Sequence, residues 1–420
     1  MRIHNLSVFT IAIMNARCHA VFVVWTLIPC AAGFAAEWNS AKFNSERIKA
    51  LPERMQAFVD DHEISGAVFV VGNADGASTI EGVGKRDLAT GAPMERDTLF
   101  RVASMTKPMT AIAVAMLVEE GKLGLDDPVE KHLPEFRGQR LIVERDGDRR
   151  VTVPVARPIT IRELLTHTSG MPGGPPPGLA ELYRRRNRTL AEAVLAFSQL
   201  PLEFEPGSRW SYSNTGLDSA GRVVEVVSGQ RFEAFLDQRL FQPLGMRDTV
   251  FYPSAEQRQR LAVLYRRDGD KLLPAEEGLI EFPEDSIYPL PAGGLCSTGP
   301  DLARLYQVML RRGAADSQRI LGESSVEELT RLQTGGLQTG FVPGMGFGLG
   351  FAHVREPQGV TAALSPGSYG HGGAFGTQAW IDPVRGWFSV LLIQRVGLPN
   401  ADASEMRRML QETAAQAIDP

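Results

Sequence analysis

The chain has 420 residues, 43% of them hydrophobic, enough apolar material for a large core and for two or three structural units. Its 44 Lys and Arg stand against 49 Asp and Glu, a net charge of -5. That balance excludes a basic surface built for nucleic acid or for an anionic membrane.

In chain order, residues 1–36 stand apart. Residues 20–36 are uncharged and mostly apolar, Arg17 precedes them, Pro29 and Gly33 break them, and Gly33 and Ala35, on either side of Phe34, offer small residues at cleavage positions. This pattern is a secretory signal cut after Ala35 or Ala36, with a start at Met14 giving a more ordinary length. An uncleaved membrane anchor is the alternative, although the run falls short of the ~20 residues a span needs. The mature protein is therefore expected to be exported, periplasmic or secreted, with no stable membrane association beyond this segment. Cys18 and Cys30 leave with the signal, so the mature chain keeps Cys296 and no internal disulfide. Cys296 reads as a small core residue.

Residues 48–59 are predicted to form an amphipathic helix and 66–71 a buried strand, with 78–83 its hairpin partner across Asp75 and Gly76. Next comes Ser104-Met105-Thr106-Lys107, ahead of Met109, Ile112, Ala113, Met116 and Leu117 at helical spacing, with Gly121 as the stop. On a helix, residues three apart share a face. A serine hydroxyl needs a neighbour to take its proton, and an amine in reach serves if burial or the positive helix end keeps it neutral. Pro108 predicts an irregular first turn. By itself Ser-x-x-Lys arises by chance about once in a few hundred residues.

Residues 140–155 read as a surface hairpin without chemistry, and Arg184, Arg185, Arg186 and Arg188 as a solvated helix face. The segment from Phe204 to Gly216 presents Tyr212 and Asn214 two residues apart in a turn-rich stretch. Tyr369-Gly370-His371-Gly372-Gly373 opens a glycine-rich strand, residues 379–382 and 387–393 form a hairpin, and 405–417 close the chain as a helix. Strand pairs at both ends with helices between predict an α+β fold: one antiparallel sheet built from both chain ends with flanking helices, plus an inserted, mostly helical region. The hydrolase domain is placed at 37–420, its α/β part at about 37–100 and 291–420 and its helical part at about 101–290.

Ser104-x-x-Lys107, Tyr212-x-Asn214 and His371-Gly372-Gly373, in this order, resemble the serine β-lactamase and penicillin-binding family. The likeness is nearest to class C β-lactamases and their family VIII esterase relatives. It extends to the segments 161–170, 243–246 and 291–295. The resemblance implies Ser104 as nucleophile, Lys107 as its proton acceptor, Tyr212 as partner in proton transfer and Asn214 as a substrate-orienting amide. It implies an oxyanion hole from the N–H groups of Ser104 and Ala374, with His371, Gly372 and Gly373 beside the substrate. Which of Lys107 and Tyr212 is the formal base is open, because coupled groups share their protons. His371 stands where a β-lactamase usually has Lys, and Gly372 replaces a hydroxyl residue, which weakens two contacts to a substrate carboxylate and favours uncharged esters.

The function expected is thus a serine hydrolase forming an acyl-enzyme on Ser104, a carboxylesterase on small esters. The alternatives are a β-lactamase, a peptidase specific for D-amino acids, or a non-catalytic penicillin-binding-like protein. The partner is a small ester or amide, with no cofactor. His62-Glu63 lacks the second His of a zinc helix, so no metal site is read. His167 is expected to brace a helix end. No Gly-x-Ser-x-Gly elbow is present, which argues against the α/β-hydrolase fold.

Overall fold

In the computed structural model, which describes residues 38–147, 149–175, 177–275, 282 and 285–419, the apolar run after Ser65 becomes strand β1 (Gly66–Asn73). It turns back into β2 (Gly76–Asp87), and β3 (Ala92–Pro93) adds a short edge. The other strands come from the C-terminal part: β4 (Met345–Phe347), β5 (Ala352–Val354), β6 (Tyr369–Gly372), β7 (Gln378–Asp382) and β8 (Trp387–Leu392). All pairings in this sheet are antiparallel in the order β4-β5-β6-β7-β8-β1-β2-β3. The two chain ends meet where Val68 pairs with Leu392 and Asn73 with Trp387. This is the α+β sheet that the strand pairs at both ends predict. The signal-segment reading lies outside the described residues.

The helices that bear on the site are α1 (Leu51–Asp60), α2 (Thr106–Glu119), α3 (Ile161–Thr166), α4 (Asn214–Ser228), α5 (Gly299–Leu310) and α6 (Glu405–Gln416). Successive residues of a strand point to opposite faces. Val68 and Val70 of β1 therefore enter one apolar cluster with α2, α4 and α5, while Ala67, Phe69 and Val71 enter another with α1 and α6. The sheet is covered on both faces: α2, which carries Lys107, belongs to the first cluster, whereas Trp210 and Tyr212 pack against the second.

Two expectations change. The helix placed at 48–59 is two pieces, Ser45–Ile48 and α1, because Pro52 suits a fresh first turn, where its missing N–H costs nothing. Helix α2 has the spacing expected of it, and every residue from Thr106 to Leu117 is buried, so it is a central helix packed on all sides. It does stop as predicted, with Gly121 at φ +68° just beyond the cap. The arginine cluster is not one solvated face. Arg184 and Arg185 are exposed and pair with Glu181, whereas Arg186 is fully buried and donates to the carbonyls of Tyr288 and Pro289 at 3.0 and 3.4 Å.

Residues 140–155 do form a hairpin, Arg140–Asp146 with Arg149–Pro154, stitched to the helical region through Leu202. Cys296 is buried in the short pairing of Phe100–Arg101 with Cys296–Ser297, and burial pushes its thiol up to about 12. At neutral pH it carries no thiolate, in keeping with a core role. Among the described residues no helix is long and apolar enough to cross a membrane.

Candidate active site

Ser104 sits at a sharp corner. The Val102 N–H bonds to the Leu295 carbonyl at 3.0 Å, then Ala103 takes φ +47°, and a 3-10 turn (Ala103–Met105) leads into α2. A residue with a Cβ in the left-handed region is strained by ~1–3 kcal/mol, so the surroundings must hold it there. Thr106 does so: its hydroxyl donates to the Ala103 carbonyl at 2.7 Å and accepts the Leu295 N–H at 3.2 Å. Pro108 falls third in α2, among the donors that a first turn leaves unpaired anyway. The irregular first turn predicted from Pro108 is therefore not found at Lys107, which is regular helix; the irregularity lies one step earlier, in the 3-10 corner that half-exposes Ser104.

Lys107 Nζ lies 2.9 Å from Ser104 Oγ and 2.6 Å from the Ala292 carbonyl oxygen. Burial pushes its amine down to about 7, and the negative charge of Asp218 partly opposes that. Asp218, buried on α4, accepts the Ala292 N–H at 2.8 Å and the Tyr288 hydroxyl at 2.5 Å. One residue, Ala292, therefore links a buried carboxylate, through its N–H, to the amine that faces the serine, through its carbonyl. The sequence signal for Asp218 was an acid among Leu217, Ala220, Val223 and Val224 of the buried face.

Tyr212 shares a hydrogen bond with Ser104, and its ring lies 4.7 Å below Lys107 Nζ. Burial holds its phenol well above the ordinary tyrosine value, the Ser104 hydrogen bond pulls it down in part, and Asp402 raises it. His167 places this residue. It ends α3 at φ +61°, accepts the Ser213 N–H on Nδ1 at 3.0 Å, takes the Ser211 N–H on its carbonyl at 2.9 Å, and stacks on Tyr212 at 4.4 Å. The expected helix-end role holds, and the same imidazole also forms the floor of the site. Burial first, then Lys107 and His371, keep it neutral. Asn214 opens α4 with its N–H on the Gly173 carbonyl at 2.9 Å. Among the described residues its amide makes no hydrogen bond to Ser104, Lys107 or Tyr212.

The third motif comes in on β6. His371 Nδ1 donates to the Gly372 carbonyl at 2.6 Å, since a carbonyl can only accept, and its ring stands 6.1 Å from that of Tyr212. Burial and the nearby Lys107 push it down to about 3. Gly373 presses against the chain that carries Ser104: a Cβ there would stand 2.5 Å from the Val102 carbonyl oxygen and 3.3 Å from Ala103 Cβ. That contact sets exposed Ala374 beside the Ser104 corner. The wall next to Tyr212 is aromatic, with Phe341 at 5.0 Å and Trp210 at 6.2 Å. Both also border a cleft of about 670 Å³ running along residues 336–345. Sequence reasoning missed Phe341 and Asp402, whose segments match no motif, and gave Trp210 no role although it stands in the segment that carries Tyr212.

The arrangement defines a class: a serine whose hydroxyl meets a buried, largely neutral amine and a phenol, beside a glycine-lined strand. Residues 51–414 match the family described as Beta-lactamase, and the chain belongs to that family. Protein Rv1367c of Mycobacterium tuberculosis is 35% identical over 81% of this chain and 88% of its own length. Esterase EstB of Burkholderia gladioli is 34% identical over 82% of this chain and 90% of its own. Among solved structures, EstCE1, described as a hydrolase with promiscuous acyltransferase activity, superposes with a TM-score of 0.72 at 27% identity, covering 88% of this chain and 98% of its own. The chain is a serine hydrolase of β-lactamase fold.

Proposed function

We propose that the protein is a carboxylesterase for small, uncharged esters, working through an acyl-enzyme on Ser104. Neutral Lys107 takes the Ser104 proton as Oγ attacks the ester carbonyl, and the N–H groups of Ser104 and Ala374 receive the oxyanion. The proton passes through the Tyr212 hydroxyl to the departing alkoxide, and water then releases the acid by the same route in reverse. A lysine held near 7 supports Lys107 as the base, while a phenol held above its ordinary value supports Tyr212 as a relay that keeps its proton. Asn214 is left to orient the substrate.

The observation that carries the choice of ester over β-lactam is His371. Held near 3, it is neutral at any physiological pH and offers no cation to a substrate carboxylate. The resemblance to an esterase supports the same choice. A β-lactamase or a D-amino-acid peptidase is the second reading, and a non-catalytic binding protein the third. The proposal includes export by residues 1–36 and the division of 37–420 into an α/β part and a helical part. Side-by-side turnover of p-nitrophenyl butyrate and nitrocefin by wild type and Ser104→Ala tests it. Serine-dependent ester turnover far above nitrocefin turnover is expected; the reverse order would make the protein a β-lactamase or peptidase, and silence on both would leave a binding protein.

A further inference from the structure

The space that a side chain at position 372 would fill is already occupied. A Cβ on Gly372 would run into Asp402 Oδ1 and the amide of Gln378. Asp402 lies in the short turn Ala401–Ala403 between the sheet and α6, far in sequence from every motif.

Its carboxylate is held by Gln378, and its main chain by Asn400 and Arg407. Gln378 is oriented by Trp380, whose indole N–H donates to Gln378 Oε1 at 2.9 Å, so that Nε2 turns to Asp402 Oδ1 at 3.1 Å. Asn400 Oδ1 accepts the Asp402 N–H at 3.0 Å, and Asn400 Nδ2 donates to the Phe341 carbonyl at 2.9 Å, tying the turn to the aromatic wall. Asp402 shares the lining of a small cavity with His371, Gly372, Phe341 and Arg407. Its charge is felt at Tyr212.

We infer that Asp402 is a specificity-determining residue that turns away substrates bearing a carboxylate near the reacting carbonyl. The inference rests on the esterase reading and deepens it: the substrate class is neutral or cationic esters. A substrate lying along β6 toward Ser104 passes Gly372, and there it meets a fixed carboxylate where a charged or hydroxyl side chain would otherwise greet it. Neutral His371 does not offset that charge. The nearby cation, Arg407, is buried on α6 with its guanidinium 4.0 Å over the Trp380 ring, and it gives Nη1 to the Asp402 main-chain carbonyl at 2.6 Å. Its Nε and Nη2 have no hydrogen-bond partner among the described residues. Removing the Asp402 charge therefore leaves a cation facing the same cavity, which adds to the relief of repulsion. Like charges a few ångströms apart in half-buried surroundings repel strongly enough for about a tenfold effect or more.

The test compares p-nitrophenyl butyrate with mono-p-nitrophenyl glutarate, an ester of similar reach that ends in a carboxylate. In Asp402→Asn the ratio of kcat/KM for the anionic over the neutral ester should rise about tenfold or more, while Asp402→Glu, which keeps the charge, should keep discriminating. In wild type the same ratio should climb with added salt, and in Asp402→Asn it should not. An unchanged ratio in Asp402→Asn, or a salt response identical in both proteins, would overturn the inference. Should Asp402→Asn fail to fold, a salt-insensitive ratio in wild type would overturn it as well. Loss of serine-dependent ester turnover altogether would strike the esterase reading instead, so the two failures are distinguishable.

Discussion

Lys107 shows how one buried group is tied to both activity and stability. In the unfolded chain its amine titrates near 10.5, in the folded protein near 7. Between those values the unfolded chain holds an extra proton, so stability rises with pH through that window; at and below about pH 7 the cost of burial is nearly full. Replacing the amine by a thioether, Lys107→Met, should therefore raise the stability of the fold at pH 7 by a few kcal/mol and shrink the gain as pH nears 10, measured by urea unfolding at both pH values. The same variant should lose ester turnover by ~10²-fold or more, the usual worth of a positioned base. In wild type, kcat/KM should climb as pH rises through about 7, where the amine becomes neutral. Asp218→Asn should move that limb to lower pH, because Asp218 favours the charged lysine. Of this constellation, Ser104, Lys107, Tyr212 and His371 were legible as motif residues. Asp218 was not: a single acid in an apolar helix face shows its purpose only when Ala292, distant in sequence, is brought against it.

The functional elements are corners more than helices or strands. Three backbone turns converge: the left-handed Ala103 before α2, the left-handed His167 after α3, and the Gly373–Gly376 turn after β6. The hydrophobic period reads the helices and strands on either side, but a positive φ at Ala or His leaves no signature, since it is imposed by tertiary contacts such as those of Leu295 with Val102 and Thr106. Glycine is different, because its presence at 373 has a steric reason. A methyl group there would collide with the Thr377 hydroxyl and the Val102 carbonyl, pushing the Ala374 turn away from Ser104. Gly373→Ala should therefore lower kcat for p-nitrophenyl butyrate by ~10²-fold with a smaller effect on KM, as expected when an oxyanion donor is displaced. Equal activity in that variant would mean that Ala374 does not serve the oxyanion.

At the scale of the molecule, the site depends on a sheet that joins the two ends of the chain. The strands β1 and β2 fold back on β8, and only this pairing brings β6, with His371 and Gly373, beside the corner at Ser104 some 270 positions earlier. The sheet was readable because its strands carry strong apolar runs and a turn at Pro383–Gly386 in the sequence. The burial of α2 on every side was not, since the residues that cover it come from α4, from the helices Glu323–Thr330 and Phe232–Leu236, and from β6. Nor was the wall of Trp210, Phe341 and Phe347, which forms only when a loop before β4 folds against the Tyr212 turn. The central claim, that ester cleavage runs through a covalent bond to Ser104, is tested most directly by intact-protein and peptide mass spectrometry on enzyme acid-quenched during turnover of p-nitrophenyl butyrate. One butyryl group on the peptide containing Ser104, absent in Ser104→Ala, is the predicted result. A butyryl group on another residue, or ester turnover that persists in Ser104→Ala, would contradict it.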